Sequence, residues 1–257
     1  MRSGTISDLK NIIFAGFFGI TLLFPAPSFS ALAPPADEIV AKADEIRSPQ
    51  LDYTVGVTVV SMKPGAEPRE ARYEVLVKGK DKTIIKTLSP AFERGRTLLM
   101  LGRDLWAYLP DISKPIRISL QQRLLGEVAN GDIARANFSG DYKAVLLKKE
   151  KIEKASYHVL ELTAIGDDVT YNKVLYWVRS EDYRPHKAEF YALSGRLLKT
   201  CVYGEYREMA GRMRPSRLTL SDPLVKGQLS TIDYHDMKVK GMPEKLFTKD
   251  YMKKLKY

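Results

Sequence analysis

YTVGVTVVSMKPGAEPREARYEVLVKGKDKTIIKTL, residues 53–88, decides the fold class. Tyr53, Val55, Val57 and Val59 alternate with Thr54, Gly56 and Thr58, and Ala71, Tyr73, Val75 and Val77 alternate with Arg72, Glu74 and Lys78. A period of two places one apolar and one polar face on each segment, which is a half-buried strand. Lys63–Pro68 and Gly79–Lys82 carry turn chemistry between the runs, so consecutive antiparallel strands follow. The pattern continues through 97–101 and 105–109, which are separated by Gly102, Arg103 and Asp104, and returns from Tyr142 to His235. Roughly eleven strands with almost no crossover helices predict an up-and-down antiparallel sheet and exclude a doubly wound α/β fold.

Two segments break the strand period. Ala36–Arg47 sets Ile39, Ala43 and Ile46 at helical spacing after Pro34 and Pro35, and Ser48 and Pro49 end it. Leu120–Tyr142 is the longest stretch without strand periodicity and reads as short helical turns in a long connection, a place where lids and binding loops occur. Gly126, Gly131 and Gly140 are read there as sources of backbone freedom, and Leu124, Leu125, Val128, Ile133 and Phe138 as the apolar underside of a lid. Pro243–Leu255 closes the chain with a short amphipathic segment.

The first thirty residues have a different character. Arg2 and Lys10 precede the apolar run Asn11–Phe24, and small residues follow, with Ser28 and Ser30 placed for cleavage before Ala31. The expectation is a secretory signal over 1–30 and a single domain over 31–257, exported to a bacterial periplasm, soluble and monomeric. No cysteine near the cut is available to accept a lipid. Without that signal the chain carries 39 basic and 30 acidic residues, a net charge of +9. The excess favours anionic partners, of which membrane headgroups suit a periplasm better than nucleic acid.

The composition also limits the chemistry. One cysteine, Cys201, cannot make an internal disulfide or a multi-cysteine metal site. The three histidines, His158, His186 and His235, are scattered singly, so no metal site and no cofactor is expected. No nucleophile elbow, phosphate loop or dinucleotide fingerprint appears. Asp167 and Asp168 follow Gly166 and read as a hairpin turn, and the chain does not read as an enzyme.

TLLMLGRDLWAYLPDISKPIRIS at 97–119, NGDIARANFSGDY at 130–142 and YNKVLYWVRSEDYRPHKAEFYALSGRLLK at 171–199 together carry a likeness. They resemble the LolA/LolB-like superfamily, in its outer-membrane lipoprotein-sorting-protein-like branch. The resemblance implies a mainly β fold with a few helices: a strongly curved antiparallel sheet forming an unclosed half-barrel, its concave face covered by helices and loops over a hydrophobic cavity. It further implies a carrier of lipid or of lipoprotein acyl chains between inner and outer membrane, with transient membrane contact. A resistance-nodulation-division-type inner-membrane transporter is the partner it suggests.

Apolar and aromatic strand residues are sufficient to line such a cavity: Tyr73, Val75, Val77, Leu99, Leu101, Trp106, Tyr108, Leu175, Trp177, Phe190 and Leu198 are the candidates. Strands 98–101 and 174–178 are apolar on both faces, so their parity stays open. A carrier has a clear physical purpose, since a sixteen-carbon chain leaving a bilayer for water faces roughly 12 kcal/mol. The competing reading is a periplasmic interaction or assembly protein of the same fold whose cavity is filled by its own side chains.

Overall fold

The computed structural model describes residues 34–255 apart from 113 and 136, so the expected signal over 1–30 lies outside the described residues. The alternating runs of the sequence form β1 (Tyr53–Met62), β2 (Arg69–Lys78), β3 (Lys82–Ser89), β4 (Thr97–Leu101), β5 (Asp104–Tyr108) and β6 (Ile116–Ile118). After the long connection come β9 (Tyr142–Ile152), β10 (Ala155–Ala164), β11 (Lys173–Arg179), β12 (Pro185–Tyr191), β13 (Leu197–Met209), β14 (Arg212–Ser221) and β15 (Leu229–Val239). All thirteen join one antiparallel sheet in the order β6-β5-β4-β3-β2-β1-β15-β14-β13-β12-β11-β10-β9. Apart from the β1–β15 pairing, every neighbour in the sheet is a sequence neighbour, as hairpin chemistry dictates. The edge strands β6 and β9 do not pair with each other, so the sheet stays open.

Register is fixed by the apolar alternation, because a one-residue slip would expose a whole buried face. Val55 opposes Val75, Val57 opposes Tyr73 and Val59 opposes Ala71, all of them buried. These side chains belong to the main core, which continues through Leu98 and Met100 of β4, Leu160 and Leu162 of β10, Val174 and Tyr176 of β11, and Cys201 and Tyr203 of β13.

The helix α1 (Ala36–Arg47) forms over the residues its periodicity predicts and buries Ile39, Val40 and Ala43 in the same core. Both of its ends are tied to the sheet. Asp37 in its first turn accepts the backbone N–H of Ala144 on β9 (3.1 Å), and Arg214 of β14 donates to the carbonyls of Glu45 (2.7 Å) and Ile46 (3.1 Å) in its last turn.

The connection from 120 to 142 contains more structure than helical turns. It folds as a hairpin, β7 (Arg123–Leu125) and β8 (Val128–Ala129), followed by the one-turn helix α2 (Asn130–Ala134). Leu124, Leu125, Val128, Ile133 and Phe138 all pack into the main core. Two of its glycines allow close approach rather than freedom. A Cβ on Gly131 would stand 1.9 Å from Thr170 Oγ1, and one on Gly126, the left-handed turn residue of the hairpin, 2.2 Å from Ser61 Oγ.

The C-terminal segment, with α3 (Lys249–Met252), lies on the opposite face of the sheet. There Met242, Phe247 and Met252 pack with Ile84 and Leu99, flanked by Leu101, Trp106 and Tyr108. A third, smaller cluster of Tyr157, Val159 and Trp177, with Leu175 against it, covers the outer face of β10 and β11.

Candidate functional site

The concave face of the sheet, α1 and the 120–142 segment enclose the interior. Arg47, at the last turn of α1, reaches into it and is ninety per cent buried, its side chain 10% exposed. Its guanidinium stands 4.5 Å from the ring centre of Phe138 and 5.4 Å from that of Tyr203. Two cavities of about 30 Å³ flank it. The first is lined by Phe138, Tyr142, Tyr171, Phe190, Cys201, Tyr203, Leu218, Leu220 and Ile232 among others, and the second by Tyr53, Val55, Val57, Val75, Ile133 and Tyr234 among others. Each has room for one or two waters, so an acyl chain enters only if the covering segment moves.

Buried charges hold that segment down. Asp44, four residues after Val40 on the buried face of α1, accepts the backbone N–H groups of Phe138 (2.9 Å) and Ser139 (2.7 Å) through one oxygen. Its other oxygen lies 3.6 Å from Arg47 Nη1. At the opposite end of the segment Lys199 of β13 pairs with Asp132 of α2 and donates to the Glu127 carbonyl (2.7 Å). Asp132 also accepts from the Tyr171 hydroxyl (2.6 Å) and from the Ala129 backbone N–H (2.7 Å). Between these points Arg135 pairs with Asp141 and donates to the Gly102 carbonyl (2.6 Å). Arg103, in the β4–β5 turn, reaches Asp168 (3.0 Å) and Asp141 (3.7 Å), joining the two halves of the open sheet.

Burial pushes the Asp44 carboxyl up to about 6, against the pull of Arg47 and of the Ser139 and Phe138 N–H groups. An unfolded chain loses that proton near 3.8. Between those values the native state retains a proton that the unfolded state has lost, so Asp44's contribution to stability falls as pH rises from about 4 to about 6 and is level above. Replacing Asp44 with Asn removes this component, on the order of 2–3 kcal/mol. Urea denaturation at intervals from pH 4 to 7.5 shows it as a flatter profile for the variant. Burial also raises the Cys201 thiol, to about 12, so this cysteine is an inert packing group.

The structure divides the eleven strand candidates by face. Tyr73, Val75, Val77, Phe190 and Leu198 lie on the concave side with the main core; Phe190 lines the first cavity and Val75 the second. Leu99, Leu101, Trp106 and Tyr108 lie on the outer side under the C-terminal segment, and Leu175 and Trp177 lie in the outer cluster on β10 and β11. These six do not line the interior. In β4 and β11 the inward residues are instead Leu98 and Met100, and Val174 and Tyr176. Both faces of these strands are covered by protein, so both are apolar and alternation could not choose between them.

Trp106 is half-buried beneath Lys249, whose ammonium stands 3.1 Å from the ring centre. Trp106→Ala is therefore expected to cost about 2 kcal/mol in chemical denaturation, below the value for a full core deletion, and to leave binding of an acyl probe unchanged.

Sequence reasoning missed Arg47, Asp44, Asp132 and Lys199. Two of these left a signal. Lys199 occupies an inward position in phase with Cys201 and Tyr203, and Asp44 sits beside Ala43 on the apolar stripe of α1. A charge at a core-facing position has a partner or a purpose.

A crystal structure of a LolA superfamily protein from Nitrosomonas europaea is 52% identical to the chain, with a TM-score of 0.81 over 84% of this chain and 99% of that one. The chain belongs to the LolA superfamily. A family model described as an uncharacterized protein matches residues 79–254. The LolA-like fold recurs in a DUF1329 family protein from Desulfovibrio piger, with 21% identity, a TM-score of 0.73 and coverage of 84% and 97%. It recurs too in a domain from Vibrio parahaemolyticus named for outer membrane lipoprotein sorting, with 24% identity, a TM-score of 0.71 and coverage of 85% and 98%. None of these three relatives is named for a catalytic activity. No curated protein matches the chain significantly. Among the described residues no helix is long and apolar enough to cross a membrane.

Proposed function

We propose that this LolA superfamily protein is a periplasmic carrier that shelters the acyl chain of a lipid or lipoprotein between its concave sheet and the 120–142 segment, moving it between inner and outer membrane. One observation carries the reading. The interior is a largely apolar trough whose cover is held by discrete polar contacts, the Phe138 and Ser139 N–H groups donating to Asp44 of α1 and Asp132 pairing with Lys199 of β13, rather than being continuous with the sheet. Displacing the cover breaks a few polar contacts, whose groups regain solvation as they separate. A sixteen-carbon chain left in water faces roughly 12 kcal/mol, and shelter in the trough removes most of that barrier to crossing between membranes.

Membrane contact is supported by apolar turn tips. Leu193, 86% exposed in the β12–β13 turn, and Leu224, 77% exposed in the β14–β15 turn, project from neighbouring connections at the same strand ends. Exposed Arg196 and Lys226 flank them, a combination suited to brief docking on an anionic bilayer. A resistance-nodulation-division-type transporter is the proposed source of cargo at the inner membrane. Native mass spectrometry of the protein extracted from its own cell envelope tests the reading. The carrier predicts a co-purifying acyl lipid released on activation; a bare chain in every preparation favours the filled, assembly-type alternative.

A further inference from the structure

The two edges of the open sheet differ. The edge strand β6 is three residues long, whereas β9 runs for eleven and pairs on one side only, with β10. On its free side the Ala144 N–H is taken by Asp37 of α1 (3.1 Å). Past that point the outward N–H and C=O groups of β9 have no partner among the described residues. A row of unpaired backbone groups is a template for another strand.

The side chains along this edge decide what kind of strand fits. Val145 and Leu147 are each half exposed, Leu147 as the extra residue of a bulge between the Leu146–Leu160 and Lys148–Val159 pairs. From Tyr142 to Lys154 the chain carries Lys143, Lys148, Lys149, Lys151 and Lys154 against Glu150 and Glu153, five cations less two anions, a net charge of +3. All five lysines are exposed. Lys148 pairs with Glu150 (2.8 Å), and the other four have no carboxylate partner among the described residues. Pairing β9 with the β9 of a second copy would set two such strands about 4.8 Å apart, and like charges facing across a ladder are destabilising. A bilayer offers phosphates to the lysines but no ordered row of donors and acceptors to the backbone. An acidic strand supplies both. Its carboxylates offset the lysines, its main chain satisfies the edge, and apolar residues alternating with the acids reach Val145 and Leu147.

We propose that residues 146–152 of β9 are a docking edge for an extended acidic segment of a partner protein, which joins the sheet as a further strand. None of these residues lines either interior cavity, so the inference stands apart from the carrier reading.

The test uses the full chain and three fluorescein-labelled peptides: EVEVEVE, KVKVKVK, and EVEVEVE with every backbone amide N-methylated. In fluorescence anisotropy at low salt the first is expected to bind roughly ten-fold more tightly than either of the others, since the second is repelled by the lysines and the third cannot donate to the edge. Hydrogen exchange should slow across residues 146–152 when the acidic peptide binds. Lys149→Glu combined with Lys151→Glu should invert the preference, so that KVKVKVK binds roughly ten-fold more tightly than EVEVEVE, with uptake of an acyl probe unchanged. Equal binding of the parent and N-methylated peptides would overturn strand addition by showing a contact of charge alone. No binding of the acidic peptide, or protection only outside 146–152, would overturn the docking edge. Phosphatidylglycerol vesicles are the last arm: binding to them that the double variant loses, with no peptide bound by the wild type, would make the edge a membrane contact and overturn the proposal.

Discussion

Lys199→Met is expected to destabilise the protein by about 3–5 kcal/mol, the largest single-residue loss among the changes considered. Lys199 is 4% exposed, and its ammonium binds Asp132 and the Glu127 carbonyl beneath the rings of Tyr171 and Phe190. Methionine fills much of the lysine's volume, so the penalty comes from chemistry rather than from a cavity. It strands the Asp132 carboxylate in the interior with only the Tyr171 hydroxyl and the Ala129 N–H to solvate it. The double variant Lys199→Met/Asp132→Asn removes the stranded charge and keeps an acceptor for those donors. It should recover at least half of the loss, and a double-mutant cycle in urea measures the coupling directly. A Lys199→Met variant within about 1 kcal/mol of wild type would mean that the pair does not hold the cover.

That ion pair also marks the limit of what the sequence reveals. The sheet was legible because β1 and β2 alternate cleanly, and α1 was legible because prolines bound a helical stripe. The likeness at 97–119, 130–142 and 171–199 led to the LolA superfamily, which the Nitrosomonas europaea relative establishes. The interior was only half legible. Where one sheet face meets solvent, as for Tyr73 and Val75 against Arg72 and Glu74, polarity names the inward side. Where the outer face is covered as well, both parities are apolar, and Trp106 and Trp177, the most conspicuous residues of their strands, lie on the outside. Tryptophan there packs a second layer that alternation cannot distinguish from a cavity wall. The polar part of the site depends on contacts distant in the chain, such as Asp44 to Phe138 and Lys199 to Asp132, which no local period encodes.

Locking the cover is expected to have the largest functional effect. The side chains of Ser48, just after α1, and Asn137, in the covering segment, meet at 3.0 Å, so thiols placed by Ser48→Cys and Asn137→Cys lie within reach of a short bis-methanethiosulfonate linker, which joins them through reducible disulfides. The native Cys201 stays out of the exchange because it is buried and its thiol is raised to about 12. If acyl chains enter the trough by displacing the 120–142 segment, the crosslink traps the closed interior, whose free spaces of about 30 Å³ admit no chain. The decisive measurement is uptake of a fluorescent acyl probe by the crosslinked protein before and after reduction, with the crosslink confirmed by mass spectrometry. The account predicts at least a ten-fold lower uptake in the crosslinked protein, restored on reduction to the level of the uncrosslinked chain. Undiminished uptake with the crosslink intact would contradict it and leave the 120–142 segment as packed structure.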